Sequence, residues 1–221
     1  MQAEDALDTI RQEVKTCRAC KLSENRKNAV PGEGPASAEV MFIGEGPGFH
    51  ENEQGKPFVG QAGHLLDQLL EAAGLQRENV YITNVVKCRP PQNRDPEPDE
   101  LAMCSCFLNR QIEAIKPKVI VTLGRFSMAR FIENGKIGAI HGRAHSVEDQ
   151  LVVTMYHPAA ALHQPALKDT LMADFAGIRH FLEKAHKDEK TSKPTPTAQK
   201  PIETKEEQEP ENVTPEQLSL F

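Results

Sequence analysis

No apolar run in this 221-residue chain approaches the roughly 18 residues that a membrane-spanning helix needs, so a protein of that kind is excluded. The first residues, MQAEDALDTIRQEV, read as an acidic amphipathic helix. They lack the charged-then-apolar order of a secretory signal, and the protein is expected to stay in the cytosol. A net positive charge is also lacking. The formal net charge is −6, and residues 186–221, with five Lys against eight Asp or Glu, carry half of it. The whole-molecule field therefore does not draw nucleic acid in, and any DNA binding must come from local basic patches. Hydrophobic residues make up only 38%, below the globular average. The deficit lies in residues 186–221, which hold almost no large apolar side chain before the last few positions. Such a segment cannot bury enough surface to offset its ordering entropy. A folded domain is expected over 1–185 and a disordered tail over 186–221.

Four short β-rich runs stand out: EVMFIG at 39–44, NVYITNV at 79–85, KVIVTL at 118–123 and LVVTM at 151–155. They are nearly continuous in apolar residues, as buried parallel strands are. Helical patterns alternate with them. Residues 61–73 put Leu65, Leu66, Leu69 and Leu70 on one face, with Gly74 as a stop signal. Further helices are expected over 98–115, over 126–133, in a short turn opened by His157-Pro158, and over 169–185. This alternation predicts an α/β fold, a three-layer α/β/α sandwich around a mostly parallel four-stranded sheet. In such folds ligands gather at the carboxyl ends of the strands. The unusual chemistry of this chain falls at those places: GEGPG at 44–48, Asn84 and the segment after it, Gly124-Arg125, and His157-Pro158.

The loop Gly44-Glu45-Gly46-Pro47-Gly48 surrounds one carboxylate with glycines that let backbone approach a ligand. It is neither G-x-G-x-x-G nor a Walker loop, since no GK[ST] follows. Alone, it is also compatible with a plain turn. Among five cysteines, Cys17 and Cys20 form C-x-x-C, while Cys88 and Cys104 are separated by fifteen residues. In a reducing compartment four thiolates point to metal ligation rather than disulfides. They suit zinc or a [4Fe–4S] cluster, and spacing alone leaves that choice open. Cys106 is read as structural. The run KCRPPQNR gathers Lys87, Arg89 and Arg94 with Asn93 on a loop suited to gripping phosphates. His157 sits between a strand and a helix, where backbone N–H groups favour negative charge.

Taken in order, C-x-x-C, GEGPG, GKPFVGQAGHLLDQLL, YITNVVKCRPPQNRDPEP and HPAAAL resemble the family 4, iron–sulfur uracil-DNA glycosylases of bacteria. The resemblance runs through nearly the whole expected domain. It implies an α/β/α fold, a [4Fe–4S] cluster on Cys17, Cys20, Cys88 and Cys104, and hydrolytic release of uracil from single- or double-stranded DNA by a monomer. It also implies roles. Phe58 is placed to stack on a flipped uracil, Asn84 to read its edge and His157 to hydrogen-bond the developing oxyanion. Glu45 stays ionised to stabilise the sugar cation or steer water, and Glu51 crowds out a thymine methyl. Gly44, Gly46 and Gly48 let backbone close on the base, and Lys87, Arg89, Asn93 and Arg94 grip DNA. Phe49 and His50 depart from the family pattern, which is usually more acidic there. A non-catalytic iron–sulfur DNA-binding protein would have no use for Phe58, Asn84 and His157 at converging strand ends. A glycosylase for another damaged base stays open, whereas the basic insertion of covalent relatives is missing from KCRPPQNRDPEP. HGRAH, around Arg143, reads as a loop that helps hold DNA.

The last five residues, Gln217, Leu218, Ser219, Leu220 and Phe221, resemble the bacterial sliding-clamp-binding pentapeptide. A short apolar anchor on a disordered tail suits a groove in a partner. About 35 flexible residues give an r.m.s. reach of roughly 30–35 Å.

Overall fold

Strand β1 (Val40–Gly44), β2 (Tyr81–Asn84) and β3 (Val119–Leu123) are buried at every position, and β5 (Gln150–Met155) is buried over its last four. The computed structural model describes residues 2–192. With Arg143–Val147 as β4, the sheet order is β2-β1-β3-β5-β4, with β2, β1, β3 and β5 parallel. Because side chains alternate across a strand, the sheet feeds two cores. Val40, Phe42, Ile82, Val121 and Val153 pack on one side with the leucines of α3 (Gln61–Ala72), with Leu171 and Phe175 of α8 (Leu167–Ala176), and with Ile178 of α9 (Ile178–Ser192). Met41, Ile43, Tyr81, Ile120 and Val152 pack on the other with α1 (Ala3–Thr16) and α4 (Pro98–Ile115). Three layers result.

The sheet has five strands where four were expected. The fifth, β4 (Arg143–Val147), runs antiparallel to β5 at the edge. It is only partly buried, so its sequence RAHSV needs no apolar run, and its two-residue turn carries Glu148 at φ +51° in place of the Gly or Asn that would signal a hairpin. The expected loop around Arg143 is therefore strand. The helix expected over 126–133 is shorter: α5 (Arg125–Ala129) ends, the chain turns through Asn134 at φ +57°, and α6 (Ile137–Ile140) follows. The helix expected over 169–185 is split at Gly177 into α8 and α9, and helical backbone continues past Ala185 to Ser192. A further short helix, α2 (Phe49–Gln54), follows the GEGPG loop, and α7 (Pro158–His163) starts with Pro158. No helix among the described residues is long and apolar enough to cross a membrane.

The crossovers fix where chemistry can gather. With four strands parallel, Gly44, Asn84, Gly124 and Tyr156 all leave the sheet at the same end, and the loops that follow share one rim.

Candidate active site

At that rim lies a cavity of about 560 Å³, lined by Glu45, Gly46, Gly48, Glu51, Phe58, Asn84 and His157, with Pro90, Asn93, Arg94 and Asp95 from the loop after β2. Residues 45, 58, 84 and 157, far apart in sequence, thus face one space. Its floor is the end of β2. Asn84 is 1% exposed, and its Oδ1 has no hydrogen-bond partner. An unpaired buried carbonyl oxygen costs about 1–3 kcal/mol. Gly44 makes room for this arrangement. A Cβ there would collide with Asn84 Oδ1 and lie 2.6 Å from the Phe58 ring.

Phe58 forms the wall. Its backbone is at φ +50°, a strained conformation for a non-glycine residue. Two neighbours hold it there. Gly63 of α3 lies so close that a Cβ would collide with the Phe58 carbonyl. Glu51 fastens the same loop: its Oε1 accepts from the backbone N–H groups of Val59 and Gly60 at 2.8 Å, and its Oε2 from that of Gly48 at 3.1 Å. Glu51 therefore ties the GEGPG loop to the Phe58 loop, a bracing part that the sequence reading did not give it. The Phe58 ring stacks on His157, with centroids 5.6 Å apart.

His157 is the N-cap of α7, and its Nδ1 accepts from the Ala159 N–H at 3.1 Å. With Nδ1 accepting, the proton of a neutral ring sits on Nε2, which makes Nε2 a donor. Burial favours that form. Desolvation pushes the imidazole down to about 4, and the nearby Glu51 carboxylate opposes it only in part. Glu45 is shifted the other way. Burial raises its pKa above the ordinary 4.5 and Asp95 adds to the shift, while Arg125 pulls it back. One cavity thus holds a neutral imidazole donor and a carboxylate of raised basicity.

Lys87 overturns its expected DNA-binding role. It is 1% exposed, and its ammonium donates to Thr83 Oγ1, the Asn84 carbonyl and Gln111 Oε1 at 2.6–2.8 Å. Buried Val85 and Val86 precede it at the strand exit and buried Cys88 follows, and the chain turns its side chain inward. There it fixes the Asn84 backbone. Arg94 is also largely committed: Nη1 and Nη2 grip the buried Glu100 carboxylate at 2.9 and 2.7 Å, which pins the loop to α4. Arg89 is freer. It donates to Asn93 Oδ1 at 2.9 Å, and its guanidinium lies 5.3 Å from the centre of the Phe49 ring.

On the far side of this loop Cys17, Cys20, Cys88 and Cys104 line a single small recess with Arg26. Donors already point at the sulfurs: Arg26 Nη1 to Cys88 at 2.9 Å and the Lys87 N–H to Cys104 at 3.2 Å. Arg26 also donates to the Lys15 and Cys17 carbonyls, locking the C-x-x-C segment to Cys88. Among the described residues no three His, Cys, Asp or Glu are drawn in around a single metal ion. Cys106 is exposed and outside the recess.

A family profile described as the uracil DNA glycosylase superfamily matches residues 31–176. The chain belongs to that superfamily. The match spans all five strands and every cavity residue named above. The chain is 50% identical to the type-4 uracil-DNA glycosylase of Saccharolobus solfataricus, over 80% of this chain and 87% of the relative. It is 47% identical to that of Archaeoglobus fulgidus, over 79% and 92%, and 41% identical to that of Thermotoga maritima, over 82% and 97%.

Within this superfamily fold the residues that the sequence reading missed are supports. Gln111 donates to the Pro31 carbonyl and receives the Lys87 ammonium, and Arg26 crosses 62 positions to reach Cys88. Glu100 and Gly63 belong with them. None follows a strand end, so nothing in the chain's order marks them.

Proposed function

We propose that the cavity takes one uracil flipped out of DNA and that the protein hydrolyses its N-glycosidic bond, the first step of base excision repair. The unpaired Asn84 Oδ1 carries this reading. Uracil presents an N3–H donor beside its O4 acceptor, which an amide meets with Oδ1 and Nδ2. Cytosine presents the reverse and would leave buried polar groups unpaired, the strongest kind of rejection. Phe58 offers a flat face for the ring, and extrusion delivers a base that the cavity could not reach inside a stack.

The chemistry follows from the two shifted groups. As the bond from C1′ to N1 breaks, its electron pair goes to the uracil and positive charge develops on the sugar. The His157 Nε2–H donates to the uracil O2 where negative charge grows, a preorganised contact worth about 3–4 kcal/mol. Ionised Glu45 stabilises the sugar cation and orients the water that adds to C1′. It takes up that water's proton, which its raised pKa favours. Glu51, from its braced position on the wall, limits space beside the ring and disfavours a 5-methyl group. Arg89 and Asn93 hold the strand at the rim, with Arg94 shaping the loop between them.

Cys17, Cys20, Cys88 and Cys104 are proposed as the ligands of a [4Fe–4S] cluster. Support comes from the recess that all four residues line and from the guanidinium and backbone N–H donated to two of the sulfurs, although the described residues do not draw three ligands together as a closed metal site. Such a cluster would tie α1 and α4 to the loop that follows Asn84. The tail pentapeptide at 217–221 lies outside the described residues; its sequence supports docking on a bacterial replication clamp by a cytosolic monomer. Deleting the five residues should abolish clamp binding in surface plasmon resonance, and undiminished binding would remove that part of the proposal.

The test of the main reading is a base-release assay on oligonucleotides holding uracil, thymine, cytosine or hypoxanthine at one position. Release of uracil alone, from single and double strands, is expected. Equal release of hypoxanthine would point to a purine-reading site instead.

A further inference from the structure

The uracil reading leaves one exposed aromatic without a task. Phe49 is 54% exposed, more than any other large apolar side chain among the described residues. It is not itself a lining residue but directly follows Gly48, which is, and so stands beside the cavity. The ring is not loose. Arg89 lies 5.3 Å from its centroid, and His50 meets it edge-on at 5.5 Å. Arg89 is itself held by Asn93, another cavity residue. An exposed phenyl ring beside a nucleotide pocket, backed by a guanidinium, has the chemistry of a base-stacking platform: bases stack on aromatics whatever their identity, and arginine adds cation–π attraction.

We propose that Phe49, braced by Arg89, stacks against a nucleobase next to the extruded uracil on the same strand. The inference rests on the uracil reading above and adds a binding subsite to it. Once the target base leaves the helix, its neighbour loses a stacking partner, and Phe49 replaces that partner. The neighbour is freest to turn onto the ring where it has no complementary strand. The platform therefore favours uracil in single-stranded DNA.

The chain contains no tryptophan, so Phe49→Trp introduces a single indole at the platform. The full-length, cluster-loaded variant would be titrated with single-stranded oligonucleotides that carry a stable abasic analogue at the target position. Quenching of the indole emission is expected when both flanking bases are present, and its loss when the flanking bases are also removed. On uracil-containing single strands, Phe49→Ala should raise KM about 5- to 100-fold and leave kcat near wild type, whereas Phe49→Tyr should keep the wild-type KM. Unmoved emission while DNA binds, or an unchanged KM in Phe49→Ala, would overturn the platform and leave uracil excision standing. Failure of the wild-type protein to release uracil at all would overturn both.

Discussion

The surroundings of His157, Glu45 and Phe58 each shift the residue from its ordinary behaviour in water or an isolated peptide. The imidazole is held neutral, the carboxylate resists losing its proton, and the phenylalanine backbone is strained. Glu45 has a folded pKa above 4.5, so the folded chain binds its proton more readily than the unfolded chain does. The ionised group then weighs against stability at neutral pH, and that penalty vanishes below the unfolded value. The proposed mechanism needs the ionised form, so the rate should fall as pH drops through the raised pKa, at a higher pH than an ordinary carboxylate would give. Glu45→Gln should lose this acidic limb, lower kcat and raise the thermal midpoint at neutral pH; pH–rate profiles and calorimetry of the two proteins check both signs. Gly63 is the second case. Gly→Ala in a helix ordinarily stabilises by about 1 kcal/mol. Here a Cβ collides with the Phe58 carbonyl, so Gly63→Ala should instead cost about 1–3 kcal/mol and lower kcat/KM for uracil release, as urea melts and kinetics would show. Glu45, Asn84 and His157 were legible because each stands at or just past a strand end, whereas Phe58 and Glu51, between or within helices, were read only from the family resemblance. Lys87 was misread because a run of basic residues says nothing about which of them the turning chain buries.

At the level of elements, the segment leaving β2 links the two halves of the account. Asn84 and Cys88 are four residues apart, and Lys87 between them fastens the Asn84 carbonyl with its ammonium and meets Cys104 with its N–H. Ligation at Cys88 would therefore stiffen the residue proposed to read the base, although none of the four recess cysteines lines the cavity. Cys88→Ser, or removal of the iron, should lower the thermal midpoint and kcat/KM together, with visible absorbance reporting cluster loss. An iron-free protein of undiminished activity would contradict this coupling. The long elements were readable for plain reasons. Helix α4 begins at Pro98, where proline fits the first turn, and α3 stops before Gly74 at φ +68°. Strand β4 was not, because an edge strand needs neither an apolar run nor burial on both faces. The break at Gly177 and the early end of α5 depend on what the helices pack against, which local pattern does not encode.

Across the whole molecule the charge balance of −6 constrains how DNA is held. The rim offers few free cations. Arg94 is paired with Glu100, and Arg125 with Asp95, while Lys87 is buried. Affinity should therefore depend only weakly on salt. Each phosphate neutralised adds about 0.7 to the slope of log K against log salt for single strands, so a slope of about 1–3 is expected from filter or anisotropy titrations. Arg89→Ala should lower it by nearly one contact. A slope several times steeper would place the DNA on a basic surface not described above. The three layers and the parallel sheet followed from periodicity alone, since two-sided burial leaves unbroken apolar runs. The supports beneath the site did not, because they join residues up to 80 positions apart.

All of this depends on a cavity that selects its base through the edge of Asn84. Single-turnover release of uracil and of cytosine from otherwise identical single strands, by the wild-type protein and by Asn84→Ala with its cluster content and melting midpoint matched, measures that dependence directly. Uracil release by wild type should exceed cytosine release by about 10⁴-fold or more, and the variant should lose about 10²- to 10³-fold of the uracil rate. A variant that released uracil at the wild-type rate, with the same preference over cytosine, would contradict the account.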